Sequence, residues 1–499
     1  MYLLALDQGT SSSRSIIFND RGEIVGSAQQ EFTQYYPQAG WVEHDAMEIW
    51  QSQISTLHQV LKTTQLRPQD IAAIGITNQR ETTILWHRKT GLPICPAIVW
   101  QDRRTSDLCE ELRSQGYDKI IRAKTGLVLD PYFSASKIAW ILEHIPSARA
   151  LAERGELAFG TVDTWLAYQL SDQSLHVTDV TNASRTMLWN IHEHCWDQDL
   201  LTLFNIPESL LPQVHPSSYR FGDARIFEAS IPIAGIAGDQ QAALFGQVCF
   251  EAGLAKNTYG TGCFMLLHTG EQSQQSEHGL INTRACQLGT PKPQPAQFAL
   301  EGSVFIGGAV VQWLRDNLHA ISKSNEIETL AAQVKDSDGV IFIPAFAGLG
   351  APHWTPQIRG AIFGLHRGTQ MAHIARAAIE AIAYQSTELL FAMQEDCAHH
   401  RQTPLREMRV DGGAAANNFL LQFQADLIGI PVVRPKILET TALGVAFLAG
   451  LAIGLFEDMA ACAELWQEDR RFEPQISSSL AAELLQQWQS KIQVLRSTV

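Results

Sequence analysis

Four glycine-bearing turns carry side chains suited to phosphate and hydroxyl chemistry. The first is Asp7-Gln8-Gly9-Thr10-Ser11-Ser12-Ser13-Arg14. Glycine permits a tight turn with inward-facing amides, the Thr/Ser run adds hydroxyl donors, and Arg14 adds a positive charge. Asp7 is suited to holding Mg²⁺ through water. The second, Gly235-Ile236-Ala237-Gly238-Asp239-Gln240-Gln241, ends an apolar run and opens a helix, where Asp239 serves equally well as an N-cap. The third, Tyr259-Gly260-Thr261-Gly262, offers amides and a hydroxyl to a terminal phosphate. The fourth, Asp411-Gly412-Gly413-Ala414-Ala415-Ala416-Asn417-Asn418, lets a nucleotide approach the backbone through Gly412 and Gly413. Any one of them alone is compatible with an ordinary hairpin loop or strand-to-helix turn. Their joint occurrence in this order points to a nucleotide site assembled from separate turns. No Walker A pattern, and no Gly-x-Gly-x-x-Gly with its acidic follower, supplies a competing site.

The elements that must position these turns follow a repeated pattern. Leu3 to Leu6 and Ser15 to Phe18 read as two strands, and Asn19-Asp20-Arg21-Gly22 turns into Glu23 to Ser27. A helix is expected from Asp45, with Glu48 completing a capping box and Ile49, Ile54, Leu57 and Leu61 near helical spacing. Ile71 to Thr77 and Ile94 to Trp100 read as buried strands. In the second half, Leu254 to Thr261, Val340 to Pro344 and Leu405 to Val410 read as strands. Helices are expected over about 308–318, 372–393 and 441–454, and from Asn417. Gly444 and Gly450 in the last of these suggest close backbone packing. The domains are placed at 1–246 and 247–499. The polar stretch 272–295 reads as an exposed excursion.

Composition limits the mechanism. At 499 residues, with 45% hydrophobic and 18% charged side chains, the chain is globular and long enough for two or three domains. A net charge of −15 disfavours nucleic acid or an anionic membrane as a main partner. A polyanion must therefore be bound locally, by amides, a few cations and a metal. No apolar run approaches the roughly 20 residues of a membrane helix, and the first residues lack a basic, signal-like start. The 8 scattered cysteines, without a Cys-x-x-Cys pair, suit free thiols in a reducing cytoplasm. The pair His399 and His400 reads as a solvated helix end rather than a metal site.

These turns and several further stretches together resemble the actin, hexokinase and Hsp70 ATPase superfamily. The likeness is to its FGGY carbohydrate-kinase branch of gluconate, xylulose and glycerol kinases, nearest the glycerol-phosphorylating group. The stretches that carry it are Asn78-Gln79-Arg80-Glu81-Thr82-Thr83, Val99-Trp100-Gln101, Val162-Asp163-Thr164-Trp165 and Asn182-Ala183-Ser184-Arg185-Thr186-Met187. Gly238 to Gly246 and Asn257 to Phe264 add to it. The resemblance implies an α/β fold of two ribonuclease-H-like domains flanking a deep cleft, with ATP, Mg²⁺ and glycerol as ligands. It implies that Arg80 and Glu81 bind polyol hydroxyls, that Asp239 binds the reacting hydroxyl and acts as base, and that Gln240 and Tyr132 fix the others. Trp100 and Phe264 would wall the carbon chain. Thr261, Gly308, Gln312, Gly413 and Asn417 would line the nucleotide site, while Thr10, Ser11, Ser12 and Arg14 cover the phosphates. Asp7 and Asp239 would position the hydrated metal. Relatives of this branch form dimers and tetramers, so a homo-oligomer is implied. A ketopentose or gluconate substrate is the nearest alternative, and an ATP-binding switch without a small acceptor is the more distant one.

The sequence departs from some relatives at Arg220 to Ser230. A glycine-rich, basic loop for fructose 1,6-bisphosphate would fall there, but the stretch is shorter, lacks the glycine cluster and holds no histidine. Control by that sugar phosphate or by phosphohistidine is therefore not expected. The tail after Phe472 lacks the carboxylate that some relatives use to bind a regulator.

Overall fold

The computed structural model describes residues 1–225, 229–289, 293–355, 357–399 and 404–498. The histidine pair at 399–400 and the centre of the Arg220–Ser230 stretch lie outside the residues whose side chains are described.

Two mixed sheets organise the chain. The first has six strands in the order Ser218–Ala224, Ile231–Gly238, Ile71–Asn78, Tyr2–Gln8, Ser12–Asn19, Ile24–Glu31. The three N-terminal strands form an antiparallel meander, and Tyr2–Gln8, Ile71–Asn78 and Ile231–Gly238 run parallel. The second sheet has seven strands. Its core, Leu254–Tyr259, Glu407–Asp411 and Val432–Pro435, is parallel, and Cys263–Gly270 and Phe298–Val304 extend it as an antiparallel meander. Each half thus joins a three-stranded meander to two further parallel strands. This is the doubled α/β arrangement expected from the resemblance. Central strands read as unbroken apolar runs because helices cover both faces: Leu3 to Leu6 and Ile74, Ile76, Ile233 and Ile236 are sealed from solvent.

Three local expectations change. The helix Ala46–Thr64 is capped by Asp45, whose side chain accepts from the amides of Met47 and Glu48. Glu48 instead accepts from the Tyr35 hydroxyl and the Thr33 amide, so the reciprocal half of the box is missing. The strand expected over Ile94 to Trp100 shrinks to Ala97–Ile98, because Pro93 and Pro96 have no amide proton to give a ladder. The stretch 272–295 is not simply an excursion. Ile281–Arg284 pairs with Phe298–Val304, and all four of its residues are buried.

Helix Thr440–Ala452 comes from the second half of the chain yet covers the first sheet and crosses helix Asp239–Gly246. The approach is backbone to backbone. A Cβ on Gly246 would overlap the Thr440 carbonyl, and one on Gly444 the Ala242 carbonyl. A Cβ on Gly235 would lie 2.7 Å from the Val445 carbonyl oxygen. Glycine at these positions is a packing requirement.

Candidate active site

The three parallel strands of the first sheet end level with one another, with Gln8 beside Asn78 and Asn78 beside Gly238. Arg80 and Asp239 follow directly, so the carboxyl edge of the sheet presents the first turn, Arg80-Glu81 and Asp239 to one space, where open α/β sheets bind ligands. Gln79 stitches this edge together. Its amide donates to the Gln8 carbonyl at 2.7 Å, and its side chain to Gln8 Oε1 and the Gly9 carbonyl.

A buried charge cluster fills the base. Arg80 donates through both terminal nitrogens to Glu301, at 2.6 and 2.8 Å, and to Gln241 Oε1 at 3.1 Å. Its Nε lies 3.0 Å from Asp239 Oδ1. Arg185 donates through Nε to Glu81 Oε1 at 2.5 Å and through its other nitrogens to Glu301 at 3.1 and 3.3 Å. Arg80, Glu81, Arg185 and Glu301 are all at most 3% exposed. Burial pushes the Glu81 carboxyl up against the pull of Arg185 and Arg80. For Glu301, burial also acts upward, but Arg185 and Arg80 outweigh it and hold the carboxyl down at about 2.

Glu81 sits in the left-handed region at φ 62°, where a non-glycine residue is strained. Its carbonyl accepts from the Ser134 and Thr83 hydroxyls, which hold the turn in place. Counting donors and acceptors leaves a specific pair open. One terminal N–H of Arg80 and the second oxygen of Glu81 meet no partner among the described residues. Asp239 keeps its amide contact from Gln240, at 2.7 Å to Oδ1, and its side chain is 32% exposed.

Trp100 and Tyr132 close one side, edge to face with ring centroids 5.5 Å apart. Trp100 Nε1 donates to Thr10 Oγ1 at 3.0 Å, which ties this wall to the first turn. Lys137, buried, donates to the carbonyls of Pro131, Tyr132 and Phe133 and so fixes the loop that carries Tyr132. Phe264 pairs with Ser303 and stands two residues from Leu266, which pairs with Glu301. Alternate residues share a sheet face, so Phe264 and Glu301 project to the same side.

Thr261, Gly308, Gln312, Gly413 and Asn417 line a single cleft of about 470 Å³ in the second half, walled by Val311, Ile327, Ile379, Ile382 and Leu420. The aliphatic walls and few polar groups suit a flat, partly apolar ligand. Gly412, at φ 84°, lies against Tyr259 and brings the third and fourth turns together. Asn417 caps the following helix through Oδ1, which fixes the orientation of its side-chain amide at the edge of the cleft.

Ser11 is exposed in the first turn, and the Ser12 hydroxyl accepts from Gln29. Arg14 ion-pairs with Glu439 from the second half. Burial raises the Asp7 carboxyl to about 6; Arg14 opposes the rise, and Glu439 and Asp239 add to it. The rise is chiefly the cost of burying a charged carboxylate, and a cation beside Asp7 would favour its ionised form.

Sequence reasoning assigned no role to Arg185, Glu301, Gln241, Lys256 or Glu439. Glu301 had a signal, as the one charge inside the apolar strand Phe298–Val304. Lys256 had the same signal in Leu254–Tyr259. The partners of Arg185 lie 104 and 116 residues away, and no local pattern announces them.

Residues 2–246 match the model of the N-terminal domain of the FGGY family of carbohydrate kinases, and residues 255–453 match that of its C-terminal domain. A glycerol kinase of Ralstonia pickettii (strain 12J) is 60% identical over 99% of this chain and 98% of its own length. One of Paracidovorax citrulli (strain AAC00-1) is 59% identical, with 98% of both covered. The crystal structure of Plasmodium falciparum glycerol kinase with ADP superposes with a TM-score of 0.92 at 34% identity, covering 99% of this chain and 98% of that one. A ligand-bound xylulose kinase from Lactobacillus acidophilus, at 21% identity and a TM-score of 0.86 over 99% and 98% of the two chains, shares the fold. With both domain models matched along most of its length, the chain belongs to the FGGY family of carbohydrate kinases.

Proposed function

We propose that this protein is a glycerol kinase that transfers the γ-phosphoryl group of ATP to a terminal hydroxyl of glycerol, giving sn-glycerol 3-phosphate and ADP. The observation that carries this reading is the open donor and acceptor pair on Arg80 and Glu81, walled by Trp100 and Tyr132 and facing Asp239. A small triol needs such a pocket, with donors and acceptors for its hydroxyls and apolar sides for its carbons. The relatives named glycerol kinase along the whole chain support the choice of polyol.

In this reading the Arg80 guanidinium holds one oxygen of Asp239 and leaves Oδ2 to accept the proton of the attacking hydroxyl. The deprotonated hydroxyl oxygen of glycerol forms its bond to the γ-phosphorus as the bond to the β-phosphate oxygen breaks, and ADP leaves. General-base assistance contributes about 10²–10⁴-fold. Alignment of the reactants contributes more, on the order of 7–11 kcal/mol. The nucleotide lies in the cleft lined by Thr261, Gly308, Gln312, Gly413 and Asn417, and Thr10, Ser11, Ser12 and Arg14 meet its phosphates. Asp7 and Asp239 would hold a hydrated Mg²⁺, which neutralises charge on the phosphates. All 8 cysteines are free, which fits an enzyme of the cytoplasm.

The test is product formation. Purified protein with ATP and glycerol should yield glycerol 3-phosphate, identified by ³¹P NMR, and xylulose or gluconate should react far more slowly. Preference for either sugar overturns the assignment, as does ATP turnover that ignores glycerol.

A further inference from the structure

Lys256 is sealed from solvent at the start of the second sheet, on the strand Leu254–Tyr259. Its ammonium donates to Gln240 Oε1 and, at 2.8 Å, to Thr258 Oγ1. Asp411, Asp239 and Glu301 stabilise the charge and Arg80 opposes it, while burial brings the amine down to about 8. The described partners of its ammonium are these two side-chain oxygens of the protein. Lys256 acts on whatever it touches, and what it touches is the residue after Asp239.

An ammonium has only protons to offer, so the Gln240 amide can face it only with its oxygen. That orients the amide completely. The carbonyl is taken, and Nε2 is turned the other way. Gln240 is itself 9% exposed, and its Nε2 meets no partner among the described residues. Gln240 directly follows Asp239 in the chain, so the nitrogen turned away from Lys256 belongs to the side chain next to that carboxylate. A free glutamine presents a donor or an acceptor by a half-turn of its amide. This one is restricted to donating.

We infer that Lys256 is a positioning residue that locks Gln240 as an obligate N–H donor toward one non-reacting hydroxyl of the polyol. The inference rests on the glycerol kinase reading above. Its specificity consequence is that a substrate without an acceptor at that point leaves a buried N–H unpaired, which a site built to hydrogen-bond a hydroxyl penalises.

A double-mutant cycle tests it, with the wild-type enzyme first confirmed to make glycerol 3-phosphate so that failure of the reading itself is seen separately. K256M should raise the KM for glycerol by about tenfold and change that for ATP by less than about twofold. In a Q240A background the same substitution should add less than about twofold, because its target is gone. An equal effect in both backgrounds, or equal rises for glycerol and ATP, overturns the proposal. If K256M does not fold, Q240E keeps an oxygen facing Lys256, replaces the N–H donor by a second oxygen and adds one negative charge there. It should raise the glycerol KM by about tenfold and reduce the preference for glycerol over propane-1,2-diol or propane-1,3-diol. An unchanged KM with an unchanged preference overturns the proposal by that route.

Discussion

At the scale of single residues, the site separates chemistry from support. Asp239 is the carboxylate that is both held and open, so D239N should leave the KM values for ATP and glycerol within a few-fold while turnover falls by about 10²–10⁴-fold in steady-state assays. Near-normal turnover would remove it as the base. Glu301 touches two arginines and is as deeply buried as they are. Replacing it leaves two cations with one fewer counter-charge in a dry setting, so E301Q should cost about 3–5 kcal/mol in urea unfolding near neutral pH. The pH dependence has a definite sign. The folded carboxyl is held down at about 2, below its ordinary value of 4.5, so the folded state binds this proton less readily than the unfolded chain. The stabilisation is complete above about pH 4.5 and is lost as pH falls toward 2. The difference in stability between wild type and E301Q should therefore shrink over that acid window. A difference independent of pH would mean that the arginines are not held by its charge.

At the scale of elements, glycine decides what can approach what. Helix Thr440–Ala452 would gain from an alanine by propensity alone, by up to about 1 kcal/mol. At Gly444, however, the new methyl would meet the Ala242 backbone, which has no flexible end to move aside. G444A should unfold the protein at clearly lower temperature. Gly413 is the contrast, since a Cβ there meets nothing within 4 Å although the residue lines the cleft. G413A should melt within a degree or two of wild type and yet raise the KM for ATP, because the added methyl occupies ligand space. A normal ATP KM would remove Gly413 from the nucleotide site. These elements also show what was legible beforehand. The hairpin from Leu3 to Ser27 and the helix after Asp45 follow from local patterns, and the glycines at 444 and 450 announced close packing. What that packing was against could not be read, because the partner helix lies about two hundred residues earlier in the sequence. Ile94 to Trp100 misled because its apolar character reflects burial in a loop whose prolines forbid a ladder. Of the candidate site, Asp7, Asp239, Thr261 and Gly413 stood out in glycine turns, whereas Arg80, Glu81, Trp100 and Tyr132 were singled out by the family resemblance alone. Arg185, Glu301 and Lys256 escaped because their roles exist only once strands from both halves meet.

At the scale of the whole molecule, an enzyme of net charge −15 must gather a polyanion with few cations. Glu439 and Asp239 both lie near enough to Asp7 to raise its carboxyl, after the larger effect of burial. Arg14 is the guanidinium facing them from the first turn, and it is joined across the two halves of the chain to Glu439. The pair is part-exposed, at 26% and 41% for the two side chains. Solvent screens such a contact to about 0–1 kcal/mol, so giving it up costs the fold little. A phosphate oxygen offers Arg14 a stronger, charge-assisted partner in a setting from which bound substrates exclude water. If Arg14 meets the phosphates as proposed, the ion pair is a holding position that the nucleotide would replace. R14A should lower stability by no more than about 1 kcal/mol. It should raise the KM for ATP by about tenfold or more and leave that for glycerol within about twofold. Thermal melts beside steady-state kinetics read both quantities. A fall of many degrees in the melt with an unchanged ATP KM would make Arg14 a strut between the halves, and the first turn would lose its place in the phosphate site.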